Sequence, residues 1–176
     1  LAVDKLCGRL PDLVLSGINR GLNVGDDVTY SGTVAGALEG ALLRIPAAAV
    51  SAALPPAGSI DYRQAARIAS RVAARILSDG LPTGTLVNLN VPHGPPKGIR
   101  VTRQGTREYR ATAIERRDPA GRPYYWIDDI DMTPTGEADG DHRAVNEGYV
   151  SISPLHTNMT HEATMGTIAD WVEDLL

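Results

Sequence analysis

The sequence has no phenylalanine, one cysteine, and only two lysines, Lys5 and Lys97, among its seventeen basic residues. A lone Cys7 excludes an internal disulfide and fits a reducing compartment, so a cytoplasmic location is expected. It reads most simply as a small buried hydrophobe. Positive charge is also scarce. Twenty-one acidic residues outnumber the basic ones and give a net charge of −4, which argues against a general binder of nucleic-acid polymers or membrane surfaces. No apolar run approaches the ~20 residues of a membrane span, and no basic start followed by an apolar stretch marks a signal peptide. Both nucleotide fingerprints, the P-loop and Gly-x-Gly-x-x-Gly, are missing, as is a Gly-x-Ser-x-Gly elbow. His93, His142, His156 and His161 show no zinc spacing. The arginine bias, with many Ala and Gly, reads as genome composition.

What is present is an ordinary globular composition: 176 residues, 43% hydrophobic and 22% charged, enough for one domain or one domain with an appendage. Leu1 is not Met, so a piece of a longer chain is expected. Residues 12–16 read as a buried strand. Residues 17–31 hold three Gly, two Asn and two Asp without a period, and read as a functional loop. A helix is expected from about Ser31, with Val34, Ala37, Leu38, Ala41, Leu42 and Ile45 on its apolar face, stopped by Pro46. Residues 47–51 form the next strand, which makes a βαβ unit with parallel pairing. Asp61, with Gln64 as capping-box partner, opens a helix with Ala65, Ile68, Ala69, Val72, Ala73, Ile76 and Leu77 inward, ended by Gly80. Strands are expected at 85–91, 99–104 and 149–153, and a hairpin at 107–117 and 123–128. Residues 133–143 read as loop. A final helix, capped by Thr160, is expected to turn Met165, Ile168, Ala169, Val172 and Leu176 inward.

Ligands of open α/β sheets gather beyond the carboxyl ends of the strands, and the 17–31 segment leaves such an end and feeds a helix start. Free backbone N–H groups and a partial positive charge there favour phosphate. Gly32 lets the backbone come close, and Ser31 and Thr33 add hydroxyls. The plainer reading, that Ser31 or Thr33 is only a helix cap, stands beside it. The carbonyl oxygens of Asn19 and Asn23 suit a hard cation, though loop Asn residues more often bond their own backbone. A neutral oxygen needs carboxylate partners, and neighbours Asp26 and Asp27 point opposite ways in an extended segment. Arg63, Arg67, Arg71 and Arg75 read as a solvated helix flank. Trp126, Trp171, Tyr124 and Tyr125 suit a core or an interface.

Residues 11–21, Pro-Asp-Leu-Val-Leu-Ser-Gly-Ile-Asn-Arg-Gly, followed by residues 30–40, Tyr-Ser-Gly-Thr-Val-Ala-Gly-Ala-Leu-Glu-Gly, resemble the survival protein E (SurE) family. Residues 87–92, 98–105 and 148–155 resemble its Asn-rich strand, its next strand and its closing strand. The resemblance implies a metal-dependent nucleotidase that releases phosphate from nucleoside 5′- or 3′-monophosphates. It implies Mg²⁺ or Mn²⁺ held partly by Asn19, phosphate bound by Ser31, Gly32 and Thr33, and Asn23 ordering the loop. Family members begin with a strand ending in Asp-Asp and a Ser-containing loop. Here Ser-Gly-Ile-Asn starts at Ser16, so the first βαβ portion and its carboxylates are expected outside this sequence. Asn158 stands where the family often has Asp.

The expected fold is therefore an α/β Rossmann-like parallel sheet with flanking helices, a β-hairpin arm and a C-terminal helix. Residues 1–98 would be the later part of the nucleotidase core, 99–130 a strand and arm, and 131–176 a closing strand and helix at an oligomer interface. The alternative is a non-catalytic oligomeric interaction module. A homodimer or homotetramer is expected, from the family and from Gly36 and Gly40, which leave one helix side open to close packing. The hairpin carries Tyr109, Tyr124, Tyr125, Trp126 and Ile127 toward the same end.

Overall fold

A computed structural model describes residues 1–106, 111–129 and 138–173. Its hub is strand β2, Ala47–Ala52, every residue of which is buried. Side chains this small let the neighbouring layers come close on both sides. Strands β1 (Val14–Arg20) and β3 (Thr85–Val91) flank β2 in parallel. Strand β7 (Val150–His156) joins β3 antiparallel, and β4 (Ile99–Val101) joins β7 in parallel. The sheet order is β1-β2-β3-β7-β4. Helix α1 (Gly32–Leu42) links β1 to β2, and α2 (Arg63–Asp79) links β2 to β3.

Two core clusters show which face each helix covers. Val34, Ala37 and Ala41 of α1 pack with Ala47, Ala49 and Leu86. Ala65 and Ala69 of α2 pack with Val50, Ala52, Leu89 and Val91. Successive residues of a strand point to opposite faces, so the helices lie on opposite sides of the sheet. The strands nevertheless advance in one direction, so the two crossovers have opposite hands and one departs from the usual right-handed rule.

Helix α1 differs from its sequence-based face. Leu42 is exposed, while Ile45, beyond the helix end, is buried. Gly36 and Gly40 do not await a second neighbour. A Cβ on Gly36 would stand 2.8 Å from Ser16 Oγ, and one on Gly40 2.8 Å from Val14 Cβ. The glycines let α1 rest directly on β1. Cys7 is exposed, not buried, because the turn Ala2–Leu6 before it buries nothing.

Asp61 accepts the Arg63 N–H at 3.0 Å, and the Arg63 side chain holds its carboxyl down to about 2. The helix starts at Arg63 with Tyr62 as an uncapped flank, so the expected box with Gln64 is replaced by this local pair. Arg63, Arg67, Arg71 and Arg75 are exposed, and Arg63 and Arg75 pair with Asp61 and Asp79. Gly80, at φ +76°, ends α2.

Strands β5 (Ala111–Arg117) and β6 (Pro123–Asp129) form a separate two-stranded ribbon. Its Asp118 accepts the N–H groups of Ala120 and Arg122 and shapes the turn. Tyr124, Tyr125 and Trp126 are exposed, and Tyr109 lies outside the described residues. The end of the 133–143 stretch read as loop is instead the start of helix α3 (Asp141–Asn146). Helix α4 (Met165–Glu173) corrects a second expectation. Met165, Ile168 and Val172 do not turn inward but are 57, 42 and 51% exposed. The chain leaves β7 before α4 begins, and the helix covers no part of the core. Thr160 caps nothing; its N–H donates to Asn158 Oδ1. Leu176 lies outside the described residues. Among the described residues no helix is long and apolar enough to cross a membrane.

Candidate active site

The carboxyl ends of the parallel strands carry a polar row. Asn19 of β1 is in register with Ser51 of β2, Ser51 with Asn90 of β3, and Asn90 with Ser151 of β7. Asn19 therefore lies on a strand, not in the loop expected from its sequence context. Gly17, Asn19 and Arg20 interrupt the apolar pattern, but ladder bonds to β2 carry the strand through Arg20. Asn19 is half-buried, and its Nδ2 donates to the Gly21 carbonyl at 3.0 Å. That bond fixes the amide and, among the described residues, leaves Oδ1 without a donor. An oriented neutral oxygen of this kind suits a hard divalent cation. Among the described residues no group of three His, Cys, Asp or Glu could hold a metal, so Asn19 is at most one ligand of such a site.

On the α1 face, Leu86, Asn88 and Asn90 alternate along β3. Leu86 lies under α1. The two asparagines, both fully buried, meet the segment that joins β1 to α1. The Asn23 N–H donates to Asn90 Oδ1 at 2.8 Å, and the Asn23 carbonyl accepts from Asn88 Nδ2 at 2.8 Å and Asn90 Nδ2 at 3.0 Å. Asn23 Nδ2 donates to Ser51 Oγ at 2.6 Å. Burying this many amides is tolerable because nearly all are paired; among the fully buried side-chain atoms of the described residues, Asn88 Oδ1 lacks a partner. Further along β7, Thr102 Oγ1 bonds both Ser151 and Ser153 at 2.7 Å.

The same segment then forms a short 3₁₀ helix of about two turns, Gly25–Tyr30, which ends on Ser31. Asp26 and Asp27 lie in this helix. Ser31 Oγ accepts the Val34 N–H at 3.1 Å, so its hydroxyl is the α1 cap. The Gly32 and Thr33 N–H groups have no acceptor among the described residues, and nothing stands within 4 Å of a Cβ built on Gly32. Unbonded donors at a helix start, on open space, favour an anion.

Two concavities border this region. One, about 540 Å³, lies over the strand ends between Gly21, Leu22, Leu54, His93 and the α3 residues His142 and Asn146. The other, about 740 Å³, runs from Ser31 along Val34 and Leu38 to Leu155, His156 and Asn158. Asn158 is exposed and closes a local turn onto Thr160.

Ser51, Gln104 and Asp141 carry no mark in the sequence pattern, and Asn88 and Asn90 enter it only as members of the Asn-rich strand. The alternation of Asn88 and Asn90 within an otherwise apolar strand was the available signal: two amides on one buried face require a polar partner.

Fold and strand-end geometry define an α/β protein with a row of polar residues at the carboxyl edge of a mostly parallel sheet. Comparison with known proteins makes the assignment specific. Residues 1–111 match the family model of survival protein SurE. The 5′-nucleotidase SurE of Pelobacter propionicus is 49% identical over 181 residues, covering 98% of this chain and 70% of that protein. That of Syntrophotalea carbinolica is 43% identical over 177 residues, covering 97% and 68%. The crystal structure of SurE protein from Aquifex aeolicus superposes with a TM-score of 0.77 at 42% identity, over 93% of this chain and 66% of that one. The chain belongs to the survival protein SurE family, and it spans about two thirds of the length of these relatives.

Proposed function

We propose that the chain carries the phosphate cradle and one metal ligand of a phosphomonoesterase that releases phosphate from nucleoside 5′- or 3′-monophosphates. The observation that carries this reading is the 43 to 49% identity to proteins named 5′-nucleotidase. The strand-end geometry supports it. In the proposal, Asn19 offers its amide oxygen to Mg²⁺ or Mn²⁺. Such an ion also needs carboxylate ligands, and among the described residues no group of three His, Cys, Asp or Glu supplies them. A divalent ion, when bound, neutralises phosphate charge and acidifies a water. The chain's own residues do the rest. The Gly32 and Thr33 N–H groups bind phosphate oxygens, Ser31 fixes the helix start, and Asn23, clamped by Asn88 and Asn90, holds the connecting segment.

Gly32→Pro against Gly32→Ala tests the cradle in the protein made with its full native sequence. Position 32 is the first helical residue, where proline is tolerated, and Ser31 before it is already extended at ψ 119°. The proline variant should fold as well as wild type but lose one N–H to the phosphate. A hydrogen bond to a charged group is worth about 1.5–3 kcal/mol, so KM for a nucleoside monophosphate should rise by about tenfold or more, with Gly32→Ala near wild type. Identical KM values in both variants would remove the cradle.

We also propose a homodimer, paired further into a tetramer, with residues 131–176 at the interface. Exposed Tyr125, Trp126, Ile168 and Trp171, at 65, 58, 42 and 58%, are the motive, because so much aromatic surface on a ribbon and an unpacked helix is costly in water. Light scattering at micromolar concentration should give at least twice the chain mass; a clean monomer mass for the full native protein contradicts the proposal.

A further inference from the structure

We infer that Asp141 is a positioning residue for the phosphate cradle, acting through Gly25, with Gln104 holding the same residue from its other side. The inference rests on the reading of residues 31–33 as the phosphate site. Asp141 is fully buried. Its carboxylate accepts the Gly25 N–H at 3.1 Å on Oδ1 and 3.0 Å on Oδ2, the Gly105 N–H at 3.1 Å and the His142 N–H at 2.7 Å.

A buried carboxylate is costly unless its oxygens are filled. Only the His142 bond serves the start of its own short helix. The bonds to Gly25 and Gly105 reach 116 and 36 residues along the chain, and both partners are suited to the task. Gly25 has φ +55°, which few other residues adopt cheaply. A Cβ on Gly105 would stand 3.1 Å from Asp141 Oδ1, so glycine there keeps the carboxylate's approach open. Gln104 Nε2 completes the grip by donating to the Gly25 carbonyl at 3.0 Å.

Gly25 opens the six-residue helix that is closed by Ser31. Thr29 Oγ1, donating to the Asp26 carbonyl at 2.7 Å, stiffens that helix. The helix is short and internally bonded, so a shift of Gly25 is carried to the Gly32 and Thr33 N–H groups. Asn23 is anchored on the asparagines of β3, and Gly25 on α3. The cradle is thus referenced to two elements that do not touch phosphate themselves.

The test uses the full native chain carrying Asp141→Asn or Gln104→Ala. Asp141→Asn keeps the shape but replaces one acceptor oxygen by an NH₂ that faces N–H donors. Gln104 is at the surface, and its truncation leaves the core intact. The readouts are KM and kcat for a nucleoside monophosphate and the inhibition constant of inorganic phosphate. A displaced cradle raises KM and the phosphate inhibition constant together, by about tenfold for Asp141→Asn and about threefold for Gln104→Ala, with kcat largely kept. A merely structural role lowers kcat through a smaller folded fraction at unchanged KM, and that result overturns the inference. If Asp141→Asn does not fold, Gln104→Ala decides alone, and a wild-type KM and inhibition constant in it overturn the inference. Failure of the underlying reading looks different, because the wild-type protein itself then releases no phosphate; the inference falls with it.

Discussion

Gly17→Ala should cost about 4 kcal/mol of stability or more, enough to unfold a domain of ordinary stability. A Cβ at this position would clash with the Val50 carbonyl oxygen and stand 3.3 Å from the Val50 carbonyl carbon. Those are backbone atoms of the central strand, and they cannot move without breaking the β1–β2 ladder. Gly17 also has φ +131°, a conformation that side-chain-bearing residues rarely adopt. It lies where the β1–β2 register shifts, between Ser16 and Asn19. The irregularity is what brings Asn19 opposite Ser51. Thermal or urea denaturation measures the loss, and a Tm within a few degrees of wild type would show that the strand can relax around a methyl group.

Chelation of divalent metal should stop phosphate release by the full native protein, and Mg²⁺ or Mn²⁺ should restore it. Undiminished turnover in excess EDTA would rule out the metal reading. Asn19→Ala should raise the metal concentration needed for half-maximal activity by about 10- to 100-fold, the range in which losing a metal-supporting contact falls. Stability should change by only about 1 kcal/mol, the worth of the lost bond to the Gly21 carbonyl. Direct titration with Mn²⁺ separates the two effects, and an unchanged affinity would take Asn19 out of the site.

The helices and the central strands were legible in the sequence because their apolar periods are clean. The 33–45 repeat gave α1, and the runs at 47–51 and 85–91 gave β2 and β3. Where a strand carries Gly, Asn and Arg, as in β1 beyond Ser16, the period is lost, and only cross-strand bonds reveal it. Helix α3 is too short, at six residues, to show a period against its polar neighbours. The inward face assigned to α4 follows the helical period correctly but mistakes its partner, since a period says that a face is apolar and not what covers it. The same limit applies to Gly36 and Gly40, whose neighbour is β1 of the same chain. At the site, Asn19, Asn23 and residues 31–33 stood out by composition. Asp141 and Gln104 did not, because their importance comes from contacts far along the chain, and one sequence holds no trace of those.

The strand order also dictates a sequence of assembly. As the chain emerges from the ribosome, β1, β2 and β3 can pair in the order of their synthesis, each with a neighbour already made. Strand β4 comes next but has nowhere to go, because among the described residues its only sheet neighbour is β7. It must wait while the hairpin and α3 are made, and β3 keeps an open edge for the same interval. When β7 arrives it closes both gaps at once, against β3 on one side and β4 on the other. The late, long-range closure is the step at which an exposed strand edge is most open to pairing with another copy.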